Sequence, residues 1–163
     1  MKIAFYIGDH SSDTLLVQAG CWITKLGQKG PYSNVTHCEA IHAEHKDGSV
    51  TIASSSLRDK GVRDKRVTLN PAHWIVANVP QWKLKDSVEF LARTKGLPYD
   101  LHGALATILP GKENSTQWFC NEWIAYPYLK AASNFGPHHL AAICMSIGTD
   151  VTNEFFNSSS MLK

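Results

Sequence analysis

The first eighty residues read as short strand-like runs separated by polar loops. Ile3 to Ile7 is an apolar block closed by Gly8, Asp9 and His10, and it predicts a first strand. Leu15 to Ala19 is a second apolar run, followed by a Gly- and Lys-rich loop from Gly27 to Gly30. Val35–Glu44 and Ser49–Ser55 flank Lys46-Asp47-Gly48. Asp-Gly between two such runs predicts a hairpin. Trp74 to Val79 predicts another strand, ended by Pro80.

The period then changes. Leu84, Val88, Leu91 and Ala92 recur at helical spacing, and Gly96 supplies a stop. Pro98-Tyr99-Asp100 is a turn. Asp100 can cap a helix through Ala104, Leu105 and Ile108, which Pro110-Gly111 ends. Lys112 to Thr116 is a polar loop. Phe119 to Leu129 predicts a helix, with Pro127 set to kink or shorten it. Beyond Pro137 the pattern predicts one more strand around Leu140 to Met145, fraying into Ser158-Ser159-Ser160. Strands first and helices second predict an α+β protein, with an antiparallel sheet from the N-terminal half packed on helices from the C-terminal half.

With 163 residues, the chain has the length of one domain, 1–163. Hydrophobic residues at 44% and charged residues at 18% exclude a disordered tail. A formal charge of +2 gives no nucleic-acid footprint, and Lys60, Arg63, Lys65 and Arg66, interspersed with Asp59 and Asp64, read as a solvated loop. No apolar run approaches the roughly 20 residues of a membrane-spanning helix. The N-terminal run is too short for a secretory signal, so a cytoplasmic location is the expectation. Cys21, Cys38, Cys120 and Cys144 form no CxxC pair, and a reducing compartment suits them. The sequons at Asn34, Asn114 and Asn157 carry no weight without a signal.

The chemistry concentrates on cysteine, histidine and acid. Cys120 falls where a polar loop becomes a helix. There the peptide dipoles lower a thiol's pKa, and backbone N–H groups can hold an oxyanion. The alternative is a core cysteine between Trp118, Phe119 and Trp123. His37 and Glu39 point to one face of a strand, so the carboxylate can orient the imidazole. A two-residue Asp47-Gly48 turn would pair Lys46 with Ser49, and therefore Glu39 with Ser56, Ile41 with Ser54, and His37 with Arg58. Ser54 and Ser56 would share His37's face, and either could be the orienting group instead of Glu39. The stretch His37-Cys38-Glu39-Ala40-Ile41-His42-Ala43-Glu44-His45 suggests zinc. Strand geometry places His37 and His45 about 26 Å apart, and no three ligands converge. No metal or cofactor site is expected. His138-His139 reads as a loop pair, and His10, His73 and His102 as solvated or satisfied. No phosphate-cradling glycine loop and no G-x-S-x-G elbow occurs.

The order of these residues, histidine before cysteine, resembles the circularly permuted NlpC-like papain-fold hydrolases, the YiiX/YebB-like group. Pro31-Tyr32-Ser33-Asn34-Val35-Thr36-His37-Cys38-Glu39 is similar to its Tyr-Ser-His segment, lengthened here. Gly61-Val62-Arg63 resembles its Gly-Val-Arg turn, Gly96-Leu97-Pro98-Tyr99-Asp100 its Gly-x-x-Tyr-Asp turn, and Trp118-Phe119-Cys120-Asn121-Glu122 its nucleophile motif. Asn121 stands where the group has serine. The resemblance spans roughly residues 30 to 145. It implies a permuted papain-like fold and a thiol hydrolase acting on an amide or ester, cell-wall peptides included. Its third polar residue usually sits on the strand after the histidine, so Glu39, Ser54 and Ser56 all stay open.

The expected mechanism pairs Cys120 as nucleophile with His37 as base. The Cys120 N–H, and the hydroxyl of Tyr6 on the first strand, are candidate oxyanion donors. A peptide or acyl-containing substrate fits this site. Acyl transfer or thioester chemistry on a lipid or ester is the second reading, and a non-catalytic binding module the third.

Overall fold

The apolar block at the start of the chain becomes the centre of the sheet. In the computed structural model, which describes residues 1–8, 14, 15, 18, 22, 25, 28–106, 116–130 and 136–160, strand β1 spans Lys2–Tyr6. It lies between β2 (His37–Glu44) and β5 (Trp74–Asn78). β3 (Val50–Ser56) and β4 (Gly61–Val67) extend one side, and β6 (Thr149–Asp150) completes the other. The order is β4-β3-β2-β1-β5-β6, and every pairing is antiparallel.

The helices α1 (Leu84–Thr94), α2 (Leu101–Ala106), α3 (Cys120–Leu129), α4 (Pro137–Ile147) and α5 (Thr152–Ser160) come from the second half. The α+β class follows as expected. Ile3, Phe5, Cys38 and Ala40 join Trp123, Ile124 and Leu140 in the main core. Ala4, Ile41, Ile52 and Val76 form a second core with Phe155 of α5. Trp123 is fully buried, and its Nε1 donates to Thr94 Oγ1 at 2.9 Å. Trp123→Ala is expected to cost about 3–5 kcal/mol in urea denaturation, because it leaves a large cavity and removes the bond to Thr94, whose hydroxyl still donates to the Phe90 carbonyl. A loss below about 1 kcal/mol would show that α3 does not depend on this anchor.

Several expectations need correction. The basic segment read as a loop is the edge strand β4. Its alternating charges suit an edge, where they discourage pairing with another chain. The stretch Leu140 to Met145 is helical, part of α4. Gly136 precedes it, Pro137 opens it, and Leu140, Ala141 and Cys144 share its buried face. His138 and His139 therefore lie in a helix's first turn, where His139 Nδ1 accepts from the Gly136 N–H at 3.1 Å. Ser158 to Ser160 continue α5 rather than fraying. The helix expected from Phe119 starts at Cys120 and keeps Pro127 inside it.

In α1 the buried stripe is Ser87, Phe90, Leu91 and Thr94, while Leu84 and Val88 face out. Two hydroxyl residues on the inner face hid that stripe from an apolar count. Asp100 does cap α2, its Oδ1 accepting from the Gly103 N–H at 2.7 Å. The predicted stretch from Ile108 through Pro110-Gly111 into the polar loop lies outside the described residues, as do most of Leu15 to Ala19 and His10. Among the described residues no helix is long and apolar enough to cross a membrane.

The hairpin register also differs. Glu44 pairs with Val50, and the Gly48 N–H donates to the His45 carbonyl at 3.0 Å. Gly48 has φ 79°, so Lys46-Asp47-Gly48 makes a three-residue loop ending in a left-handed glycine. That moves the register by one. An irregularity between Ile41 and Ala43 moves it by one more, pairing Ile41 with Ile52 and Ala40 with Ala53. Continued by one residue, this register sets Glu39 beside Ser54 rather than Ser56.

Candidate active site

Three segments distant in sequence meet at the entry to α3. Gly61 bridges Pro98, and the Val62 N–H donates to the Leu97 carbonyl at 2.9 Å. Tyr99 in turn bridges Trp118, with the Asp100 N–H donating to the Trp118 carbonyl at 2.9 Å. Ser55 Oγ donates to that same carbonyl at 2.5 Å. The residue just before Phe119 and Cys120 is thus tied down by backbone bonds and by β3. Gly61 has φ 154°, and a side chain there would strike the Leu97 carbonyl. Gly61→Ala should lower stability by about 2–3 kcal/mol, or roughly 5–10 °C in Tm, checked by thermal melting.

Phe119 caps α3 in extended conformation, and no side chain caps that end. Cys120 is the first helical residue and only 3% exposed. The first-turn N–H groups have no partner inside the helix, so this end carries partial positive charge. The fully buried Asn121 places its Oδ1 3.9 Å from Cys120 Sγ.

His37 opens β2, at the rim of the sheet. Its Nε2 lies 2.7 Å from Glu39 Oε1, and Cys120 lies close enough for its charge to act on the ring. Glu39 is 2% exposed, yet it is held ionised. Burial pushes its pKa up, but His37 and Arg63 outweigh that and bring it down to about 2. Arg63 donates from Nη2 to Oε1 at 2.6 Å and from Nη1 to Oε2 at 2.8 Å. Burial likewise opposes charge on His37, but Glu39 and Cys120 raise it to about 9.

Cys120 is held well below the ordinary thiol range. The neighbouring Cys38 thiol contributes most, burial works against it, and the His37 charge adds to it. Cys38 itself is pushed up by burial and by its neighbour Cys120, so it stays a neutral thiol. These directions together favour a thiolate beside an imidazolium backed by a carboxylate.

Of the three side chains considered as partner to His37, Glu39 is the one that the structure joins to it. Ser54 turns its hydroxyl to the Ser55 carbonyl at 3.3 Å, and Ser56 Oγ accepts from the Asp59 N–H at 3.4 Å. Tyr6 lies directly across from His37 on β1. Its ring packs on Trp74 and His73, with centroids 5.1 and 6.0 Å away, and its hydroxyl sits over Gly8.

The remaining histidines of the β2 segment are engaged elsewhere. His42 Nε2 meets Ser87 Oγ at 2.8 Å, and His45 Nε2 meets Thr51 Oγ1 at 2.9 Å. Among the described residues no three His, Cys, Asp or Glu side chains are grouped to share a metal ion.

Sequence reasoning missed Cys38 and Arg63. Strand alternation sends Cys38 to the face opposite Glu39, which is the face where α3 packs. Arg63 lies two strands from Glu39, beyond the reach of any local pattern. Comparison with known protein families, with characterised proteins and with solved structures found no match.

Proposed function

We propose that this protein is a cysteine hydrolase that cleaves an amide bond through Cys120, His37 and Glu39. The observation that carries the reading is His37 set between a buried carboxylate and a thiol at a helix start. The order of the motifs, similar to that of the permuted NlpC-like hydrolases, supports the same chemistry. The Cys120 thiolate attacks the carbonyl carbon, and the carbonyl π electrons move to oxygen. The first-turn N–H groups of α3 stabilise that oxyanion, with Tyr6 a further candidate donor. The oxyanion collapses, and His37 gives its proton to the departing amine. A thioester on Cys120 remains. Water, losing a proton to His37, attacks it, and the acid leaves as the thiolate reforms.

A second reading keeps the thioester but passes the acyl group to an alcohol, amine or lipid. The aromatic cluster of Phe90, Trp118 and Tyr126, with ring centroids 5.0–5.4 Å apart, favours it, since Tyr126 remains 39% exposed.

The test exposes the intact protein to peptide amides and to acyl esters, quenches with acid, and maps adduct mass by residue. An acyl adduct on Cys120 is expected. Peptide alone giving it favours the hydrolase, and ester alone the second reading. Cys120→Ala should lose about a thousandfold or more in turnover while the protein still folds, as a cooperative melt would show. Turnover retained in Cys120→Ala would end both readings, and a wild type that forms no adduct and turns over neither substrate would leave a binding module.

A further inference from the structure

We propose that Arg63 is a positioning residue for this site: its guanidinium, braced by Asp59, keeps Glu39 a carboxylate aimed at His37 and thereby sets the state of Cys120. The inference rests on the Cys120–His37–Glu39 reading and adds a residue to it.

Arg63 belongs to β4 and Glu39 to β2, with β3 between them. Two strand spacings amount to about 10 Å. Arg63 pairs with Ser54, and the β2–β3 register brings Glu39 beside that same serine. The three residues form one row across the sheet. The small Ser54 side chain leaves the arginine room to cross it, and Arg63 Nη1 also reaches the Ser54 carbonyl at 3.4 Å.

The guanidinium engages both carboxylate oxygens of Glu39 while its Nε donates to Asp59 Oδ2 at 2.5 Å. Lys65 Nζ donates to that same Asp59 oxygen at 2.7 Å. The titratable groups facing the pair are therefore His37, Cys38 and His42 on β2, Asp59 in the turn before β4 and Lys65 on β4, with Cys120 on α3 reached through His37. From Lys65 through Asp59, Arg63, Glu39 and His37 to Cys120 the charges alternate in sign.

Burial favours a protonated Glu39, and His37 first and Arg63 second oppose it, so loss of Arg63 leaves the imidazolium alone to hold the carboxylate charged. A neutral carboxyl no longer balances the imidazolium, and the His37 proton would then return to Cys120. Arginine suits the role because it does not lose its own proton and its fork matches a carboxylate. The pair is also well placed geometrically, since Glu39 Oε1 accepts from Arg63 and His37 together.

The test measures iodoacetamide labelling of each cysteine at pH 6 and pH 9.5 in the full-length wild type, His37→Ala, Arg63→Met and Arg63→Lys. Arg63→Met should label Cys120 about tenfold more slowly at pH 6, with the gap closing at pH 9.5 and Cys38 and Cys144 unchanged. Arg63→Lys keeps the charge without the fork and should fall about threefold. Cys120 labelling at the wild-type rate in folded Arg63→Met, while His37→Ala is slow, overturns the inference and leaves the dyad standing. Faster labelling of Cys38 and Cys144 in Arg63→Met marks a purely structural role and also overturns it. If Arg63→Met does not fold, Arg63→Lys decides, and a wild-type rate there overturns the inference. A wild type whose Cys120 is inert at pH 6 overturns the hydrolase reading itself, and this inference with it.

Discussion

His37→Ala is expected to slow alkylation of Cys120 at pH 6 by about thirtyfold. An ordinary thiol with a pKa near 8.5 is only about 0.3% thiolate at that pH. Full loss of activation would cost roughly 300-fold in thiolate. The thiolate of a less acidic thiol is a better nucleophile, with a Brønsted coefficient near 0.4–0.5, and this returns about tenfold. Cys38 also lowers the pKa of the Cys120 thiol, so thirtyfold is the upper end of the effect. Cys38→Ala removes that neighbouring S–H and should slow labelling as well, while Cys38→Ser, which keeps a hydroxyl donor there, should recover most of it. Mass spectrometry resolved by residue reads all three variants. A wild-type labelling rate in His37→Ala would show that the thiolate owes nothing to the imidazole.

The second large effect is on stability as pH changes. Between about pH 6.5 and 9 the folded Cys120–His37 pair holds one proton, on His37. The unfolded pair also holds one, on the cysteine, so stability should be nearly flat there. As pH falls below 6.5, the unfolded histidine takes up a proton that the folded site does not match, and stability declines. Below about 4.5 Glu39 adds a steeper loss. Its pKa lies lower in the folded state, at about 2, so its contribution is present above 4.5 and is lost as pH falls toward 2. A shift from 4.5 to about 2 corresponds to about 3 kcal/mol, shared with His37 and Arg63. Urea denaturation at pH 7 and pH 3 measures it. Glu39→Gln should flatten this acid limb. An acid limb of unchanged depth in Glu39→Gln would place the effect on other carboxylates.

Much of this architecture was legible before any coordinates. The apolar blocks at Ile3–Ile7 and Trp74–Val79 gave strands because they carry the inner residues of a sheet covered on both faces. Cys120 could be placed at a helix start, since a polar loop and an aromatic-rich segment meet there. What escaped reading depended on contacts distant in the chain. β4 looked like a loop because an edge strand carries charge where a central one carries valine. α4 looked like a strand because Leu140, Ala141, Ile143 and Cys144 crowd together, hiding the helical spacing of its buried face. The hairpin register slipped by two residues because a three-residue loop and a strand irregularity each add one, and neither has a distinctive residue type. Glu39 could be proposed beside His37 from alternation alone. Arg63 could not, because its link to Glu39 runs perpendicular to the chain, over Ser54.

The separation of the two reacting side chains has a consequence for biosynthesis. His37 and Cys120 stand 120 − 37 = 83 residues apart. On a ribosome the histidine strand emerges long before the cysteine. Cys120 therefore leaves the exit tunnel as an ordinary, mostly protonated thiol. It gains nucleophilic character only when α3 docks against strands β1 to β5, all of which precede it in the chain, with Trp118 tied to Pro98 and Asp100. A nascent or truncated chain thus carries no hot thiol to modify its neighbours. The appearance of that reactivity during translation or refolding would time the docking of α3 on the sheet.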